Sequence, residues 1–221
     1  MSRIDELIQQ MCPDGVEYRA LGEIATLVRG NGLQKKDFTE SGVGCIHYGQ
    51  IYTHYGVWAT ATRSFVSPEL AQTLRWVEPG DLVITNTSEN LQDVCKAVAW
   101  LGDNNIVTGG HATIIKHHQD PRFLVYCTQT PEFFAEKKRL ASGTKVIDVS
   151  ASNLGKARIP VPPMEVQRAI VEILDRFAKL EAELEAALEA ELEARRRQYA
   201  HYRDQLLSFP DAACGHTHTH R

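Results

Sequence analysis

Apolar residues recur every three or four positions along the last quarter of the chain. They fall at Ile170, Ile173, Phe177, Leu180, Leu184, Leu188 and Leu192, with Tyr199, Tyr202 and Leu206 beyond. The spacings run 3, 4, 3, 4, 4 and 4, which is the period of one helical face. Their mean lies nearer about 3.6 than about 3.5, so the pattern predicts a nearly straight helix rather than a tightly wound left-handed coil. A helix over 163–207 would be about 65 Å long. Its start is marked by Ile159-Pro160-Val161-Pro162-Pro163. Three prolines hold the backbone extended and withhold backbone donors, and Pro163 then suits a first helical turn, with Glu165 near the positive end of the helix. A lone helix with a leucine stripe is a poor solitary element and requires a partner.

Before residue 160 the pattern is shorter and mixed. Ile4, Leu7, Ile8 and Met11 share a helical face, and Cys12-Pro13-Asp14-Gly15 ends it in a turn. Tyr18-Arg19-Ala20-Leu21-Gly22-Glu23-Ile24 reads as a buried start of the domain, and Arg29-Gly30-Asn31-Gly32 as a loop. Strands are predicted at 45–52, 81–85, 97–101 and 111–116, with Glu78-Pro79-Gly80-Asp81, Gly102-Asp103-Asn104-Asn105 and Gly109-Gly110 as turns between them. Ser67-Pro68-Glu69 and Thr130-Pro131-Glu132 each open a short helix, cap residue first and proline next, and Gly143 is placed to close the second. Ser150 caps a last short turn containing Leu154. There is no strict βαβ alternation and no internal repeat. The expectation is an α+β protein: a mixed globular domain over 1–160, one long C-terminal helix over 163–207, and a tail over 208–221 that is disordered or an expression tag.

Charge sharpens the reading of the helix. The formal net charge is −4, with 24 Lys and Arg against 28 Asp and Glu. Residues 1–163 hold 16 against 17, so the acidic excess lies mainly in the helix and tail. This argues against nonspecific coating of nucleic acid and leaves the globular part free to carry a basic face. Within the helix, Glu181, Glu183, Glu185, Glu189, Glu191 and Glu193 precede Arg195, Arg196, Arg197 and Arg203. Parallel copies would set glutamate against glutamate. Antiparallel copies crossing near Glu189 would set 181–185 against Arg195–Arg197, and such pairs choose orientation even where they add little stability. The same residues also allow i,i+4 pairs within one helix, Glu191–Arg195 and Glu193–Arg197.

Composition and motif searches exclude several classes. No apolar run is long enough to span a bilayer, and the acidic start Met1-Ser2-Arg3-Ile4-Asp5-Glu6-Leu7 is no signal peptide. The five scattered cysteines form no Cys-x-x-Cys pair and read as reduced structural thiols of a cytosolic protein. No Gly-x-Gly-x-x-Gly cradle is present, and Gly155-Lys156 continues as Ala157 rather than as a phosphate-binding loop. No Asp/Asn-Pro-Pro-Tyr/Phe segment of an amino-methyltransferase occurs. A nuclease-like Pro13-Asp14 with Glu136-Lys137-Lys138 reads instead as a turn and a solvated helix face. His216, His218 and His220 could chelate a metal, but they read as an expression scar or a disordered end. No cofactor is expected.

Several phrases together resemble a known family. Gly143-Thr144-Lys145-Val146-Ile147, then Leu154-Gly155-Lys156-Ala157-Arg158-Ile159-Pro160-Val161-Pro162-Pro163, then Glu165-Val166-Gln167-Arg168-Ala169-Ile170-Val171 resemble the end of a target recognition domain in a type I restriction–modification specificity subunit. Leu21-Gly22-Glu23-Ile24 and Pro79-Gly80-Asp81-Leu82-Val83-Ile84 also fit. Such subunits usually carry two recognition domains separated by paired antiparallel helices. This chain, with one of each, resembles a half-subunit whose other half a second copy could supply. The resemblance implies a noncatalytic homodimer that binds one half of a split double-stranded DNA target per domain and docks methyltransferase subunits. An endonuclease/translocase subunit would join through the complex.

Reading DNA requires cations for phosphates, amides and hydroxyls for base edges, and apolar surface for thymine methyls. Five clusters combine them: Arg29, Asn31, Gln34, Lys35 and Lys36; Tyr48 and Gln50 with His47, Tyr52, His54 and Tyr55; Asn86, Thr87, Ser88 and Asn90 followed by Lys96; His111 after two glycines; and Ser142, Thr144 and Lys145. Tyr48 and Tyr52 share a face of the predicted strand and read equally as core. The self-association face comprises Ile170, Ile173, Phe177, Leu180, Leu184, Leu188, Leu192, Arg195, Arg196, Arg197 and Tyr199. The rival of another class is a coiled-coil adaptor that binds only protein.

Overall fold

The computed structural model describes residues 3–209. The His-rich tail therefore lies outside the described residues. In chain order the elements are α1 (Arg3–Met11), β1 (Tyr18–Ala20), α2 (Leu21–Ile24), β2 (Ala25–Arg29), a 3-10 turn (Lys35–Asp37), β3 (Val43–Ile46), α3 (Tyr48–Thr53), β4 (Trp58–Ala59), β5 (Ser64–Val66), α4 (Pro68–Ala71) and β6 (Arg75–Val77). There follow β7 (Leu82–Thr85), β8 (Thr87–Ser88), β9 (Ala97–Trp100), β10 (Ile106–Thr108), β11 (Ala112–His117), α5 (Pro121–Cys127), α6 (Pro131–Leu140), β12 (Ile147–Asp148), α7 (Ala151–Leu154), β13 (Arg158–Pro160) and α8 (Met164–Leu206). The expected class, a mixed α/β domain followed by one long C-terminal helix, is the one observed.

Two sheets organise the domain. One has the order β2-β11-β7-β9-β4, antiparallel except that β4 runs parallel to β9; the other has the order β5-β3-β10-β6, with β10 parallel to β3. Alternation assigns the faces. Leu82, Ile84, Ala97, Ala99 and Ile115 point towards Phe123, Leu124, Phe133 and Leu154 of α5, α6 and α7. Val83, Val98, Trp100 and Ile114 point the other way, onto Ile46, Val77 and Ile106 of the second sheet. The five-stranded sheet is thus covered on both faces, which is why Leu82–Thr85 and Ala97–Trp100 are buried at every position. A third cluster of Cys45, Val66, Val107, Leu33 and Leu74 closes the outer face of the smaller sheet.

The caps behave as their residue types require. Ser67 Oγ accepts from the Leu70 amide at 3.2 Å and Thr130 Oγ1 from the Phe133 amide at 3.2 Å. Asp120-Pro121 uses the same device for α5, Oδ1 accepting from Arg122 and Phe123 at 3.0 and 3.2 Å. The predicted strand over 45–52 is corrected. The strand ends at Ile46, and His47 caps a helix: its Nδ1 accepts from the Gly49 amide at 3.2 Å, while Gln50 Oε1 accepts from the His47 amide at 3.1 Å. Gly143 does not close α6, which ends at Leu140. It adopts φ +93° in the next turn, where a Cβ would collide with the Val146 carbonyl.

Gln167 explains the motif that begins α8. It is 1% exposed. Its Nε2 donates to Gln119 Oε1 at 2.7 Å and to the Pro162 carbonyl at 2.8 Å, and its Oε1 accepts from the Asp120 amide at 3.0 Å. One buried amide thus joins the proline joint to the cap of α5. Val166 and Val171 are buried beside it. The first compact unit accordingly runs through Glu172, past the joint itself, and the second is Ile173–Arg221. Ile170 packs against the domain core, so this first member of the expected self-association stripe serves the domain. From Ile173 onward, Phe177, Leu180, Leu184, Leu188, Leu192 and Tyr199 are exposed. Arg195 Nε lies 2.7 Å from Glu191 and Arg197 Nη1 2.8 Å from Glu193, so the intrahelical i,i+4 pairs are formed in the single chain; Arg196 is exposed.

Candidate nucleic-acid interface

Strand register brings the predicted clusters to one end of the five-stranded sheet. Thr113 pairs with Arg29 and Ala112 with Thr85, so the end of β2, the start of β11 and the end of β7 coincide. Past β7, Thr87 and Ser88 pair with Asp148 and Ile147, which carries the 142–148 turn alongside. Helix α3 joins through Tyr52, whose hydroxyl donates to the Thr87 carbonyl at 2.7 Å. Lys96 Nζ reaches the Tyr52 carbonyl at 3.2 Å. His111 Nδ1 lies 3.0 Å from Thr87 Oγ1, and its ring sits 4.8 Å from that of Tyr48. All five clusters therefore meet, although up to about a hundred residues separate them along the chain.

An open cavity of about 440 Å³ is lined by members of three of the clusters, Tyr48, Tyr52, Thr87, Ser88, Asn90 and His111, together with Glu89 and Asp93. Val146 borders it with an exposed apolar side chain. Lys35, Lys36, Thr144 and Lys145 are exposed. Buried His47 backs Tyr48, ring centroids 4.5 Å apart. Burial lowers the His47 pKa, and the charge of Lys35 and that of His111 lower it further. Neutral His47 thus keeps its capping acceptor. Burial raises the Tyr52 pKa, so this hydroxyl remains a donor.

The structure sorts the predicted readers. Asn86 is fully buried: Nδ2 donates to the Val149 carbonyl at 2.7 Å and Oδ1 accepts from Thr113 Oγ1 at 2.9 Å. That amide supports the loop from within and is not presented to a ligand. Gln50 is similarly engaged, with Nε2 on Ser64 Oγ at 2.7 Å and Oε1 in the α3 cap. Arg29 is tied to the Gly110 carbonyl at 3.2 Å and to Asp148 at 3.6 Å, and Asn31 Nδ2 to the Thr73 carbonyl at 2.8 Å. Gln34 is exposed, as are Asn90, whose Oδ1 accepts from the Asp93 amide at 2.8 Å and whose Nδ2 donates to Asp93 Oδ2 at 2.7 Å, and Ser142, whose Oγ lies 3.3 Å from the Asp148 carbonyl. Gly30 and Gly109 let the chain approach itself: a Cβ on Gly30 would strike the Gly109 carbonyl, and one on Gly109 would lie 2.8 Å from Leu33. Lys137 is buried, against the expected solvated face. Among the described residues, no group of acidic, His and Cys side chains is arranged to hold a metal ion, and no helix is long and apolar enough to cross a membrane.

The family model of the type I restriction modification DNA specificity domain matches residues 13–194. The chain belongs to that family. It is 42% identical over 100 residues to the EcoprrI type I specificity subunit of Escherichia coli, covering 42% of this chain and 24% of that one. A putative type I specificity subunit of Haemophilus influenzae is 25% identical over 159 residues, covering 70% of this chain and 40% of that one. Among solved structures, the HsdS subunit from Thermoanaerobacter tengcongensis superposes with TM-score 0.57 at 19% identity, over 91% of this chain and 49% of that one. The S subunit from M. genitalium gives 0.53 at 17%, over 87% and 47%. The likeness to both is one of fold. This specificity chain spans about half the length of the solved S subunits and less of the curated relatives it matches.

Proposed function

We propose that this chain is the noncatalytic sequence reader of a type I restriction–modification complex and binds one half of a bipartite double-stranded DNA target. The observation that carries the reading is the convergence of all five loop clusters at one end of one sheet. Lys35, Lys36 and Lys145 supply phosphate contacts, which fix register. Asn90, Ser88, Thr87 and His111 supply hydrogen-bonding groups for base edges, with Tyr48 and Val146 as apolar surface. The exposed stripe from Ile173 to Tyr199 supports pairing with the α8 helix of a second copy. Antiparallel pairing sets the glutamates at 181–185 against Arg195–Arg197, in place of the like-charge contacts of a parallel pair. Two-fold symmetry then requires inverted half-sites. The helices would set the gap between them and dock methyltransferase subunits, with an endonuclease/translocase subunit joining through the complex.

Selection from random duplexes by the full chain mixed with its methyltransferase subunit tests this. The expected product is a consensus of two inverted halves around a fixed spacer. Enrichment of no sequence would reject the reading in favour of a protein-only adaptor.

A further inference from the structure

The loop that carries Thr87, Ser88 and Asn90 leaves β7 at Thr85 and returns in β9 at Ala97. One flank is not closed by packing. A cleft of about 660 Å³ opens there, bordered by Gln92, Asp93, Cys95, Thr128, Phe134 and Lys137. The backbone is also strained at its return: Cys95 has φ 63°, a left-handed conformation unfavourable for a residue other than glycine. Such a loop needs something to hold it.

Lys137 of α6 meets that need. Its side chain is 6% exposed, and its ammonium donates to the Gln92 and Val94 carbonyls, both at 2.8 Å. The Phe134 ring lies under the charge, 5.1 Å from Nζ. Burial pulls the Lys137 pKa down, partly offset by the fields of Cys95 and Asp93. Withdrawing an ammonium from water is costly, and its bonds to the two carbonyls offset that cost. An alkyl chain cannot hydrogen-bond two carbonyls. Between those carbonyls sits Asp93, whose amide donates to Asn90 Oδ1 at 2.8 Å and whose Oδ2 accepts from Asn90 Nδ2 at 2.7 Å. The clamp therefore reaches an exposed residue of the interface through one intervening side chain.

We infer that Lys137 is a positioning residue for sequence readout: from inside the domain it holds residues 90–96 in one arrangement and so fixes Asn90, Ser88 and Thr87 against the DNA. This rests on the reading that the loop faces DNA. The test compares the wild-type chain with Lys137→Met, each with the methyltransferase subunit, on the selected duplex and on a scrambled duplex across a salt titration. Hydrogen exchange of residues 86–96 is followed in parallel. The variant is expected to keep its affinity for scrambled DNA within about twofold with an unchanged salt slope, and to lose roughly tenfold or more on the selected duplex. The amides of 90–96 should exchange faster, while those of β7 and β11 stay protected. An unchanged ratio of selected to scrambled affinity in the variant overturns the clamp. So does a wild-type chain whose residues 90–96 exchange as freely as an exposed loop, a result that does not depend on the variant folding. A wild-type chain that discriminates no sequence overturns the underlying reading instead.

Discussion

The two compact units treat their apolar residues in opposite ways. In the first, Leu82, Ile84, Ile114, Ile115 and Phe133 are covered on every side by the unit's own elements. In the second, Phe177, Leu180, Leu184, Leu188 and Leu192 are each more than half exposed. The first unit encloses its own apolar core; the second, among the described residues, has a helical period and no buried apolar cluster. Marginal helices gain most of their stability from packing of an apolar face, and the pairing proposed above would give the stripe of α8 that packing. The polar residues differ too. Asn86, Gln167 and Lys137 are buried with partners matched to their donors and acceptors, whereas the glutamates and arginines of α8 make exposed pairs of small individual worth.

The sharpest way to break this contrast is to charge the stripe. Leu184→Asp with Leu188→Asp removes four leucines from a two-fold pair, each worth about 1.5–3 kcal/mol if buried there. Self-association should weaken by about a thousandfold or more in sedimentation, with domain unfolding unchanged; an unaltered dimer would remove the stripe from the interface. In the domain, Ile114→Ala should cost about 2–5 kcal/mol in urea denaturation without altering self-association. A cost below about 1 kcal/mol would contradict its place between the two sheets. Gln167→Leu keeps the volume and abandons the Asp120 amide and the Pro162 carbonyl, for a cost of about 1–3 kcal/mol by the same assay; a neutral result would mean the joint does not depend on that amide. The smallest effect belongs to the rim. Lys35→Ala or Lys145→Ala should weaken binding a few-fold across all duplex sequences and flatten the salt slope by about 1. A sequence-dependent loss would make them base readers instead.

How much the sequence disclosed follows from how local each cause is. The α8 helix was legible because its period extends over many turns, and the Ser-Pro and Thr-Pro caps because each is complete within four residues. Asp120-Pro121 carries the same local signal, a cap residue followed by proline, with Asp in place of Ser or Thr. The α3 helix was hidden by an uncommon cap, His47, beside β-favouring Ile46, Tyr48 and Ile51. The five loop clusters were legible as compositions but not as one site, because their meeting depends on strand pairs such as Thr113–Arg29 and Ser88–Ile147 that no local pattern encodes. For the same reason no local pattern shows that the Asn86 and Gln50 amides are occupied by Val149 and Ser64, which lie elsewhere in the sequence. Lys137 is the converse case: a charged residue on a charged helix, buried because two carbonyls from another segment receive it.

Hydrogen exchange of the chain bound to its methyltransferase subunit, with and without its selected duplex, tests the central claim most directly. DNA should slow exchange at residues 29–36, 47–52, 86–90, 109–111 and 142–148, and leave 173–206 unchanged. Slowing confined to other surfaces, or to the long helix itself, would contradict a DNA interface at this end of the sheet.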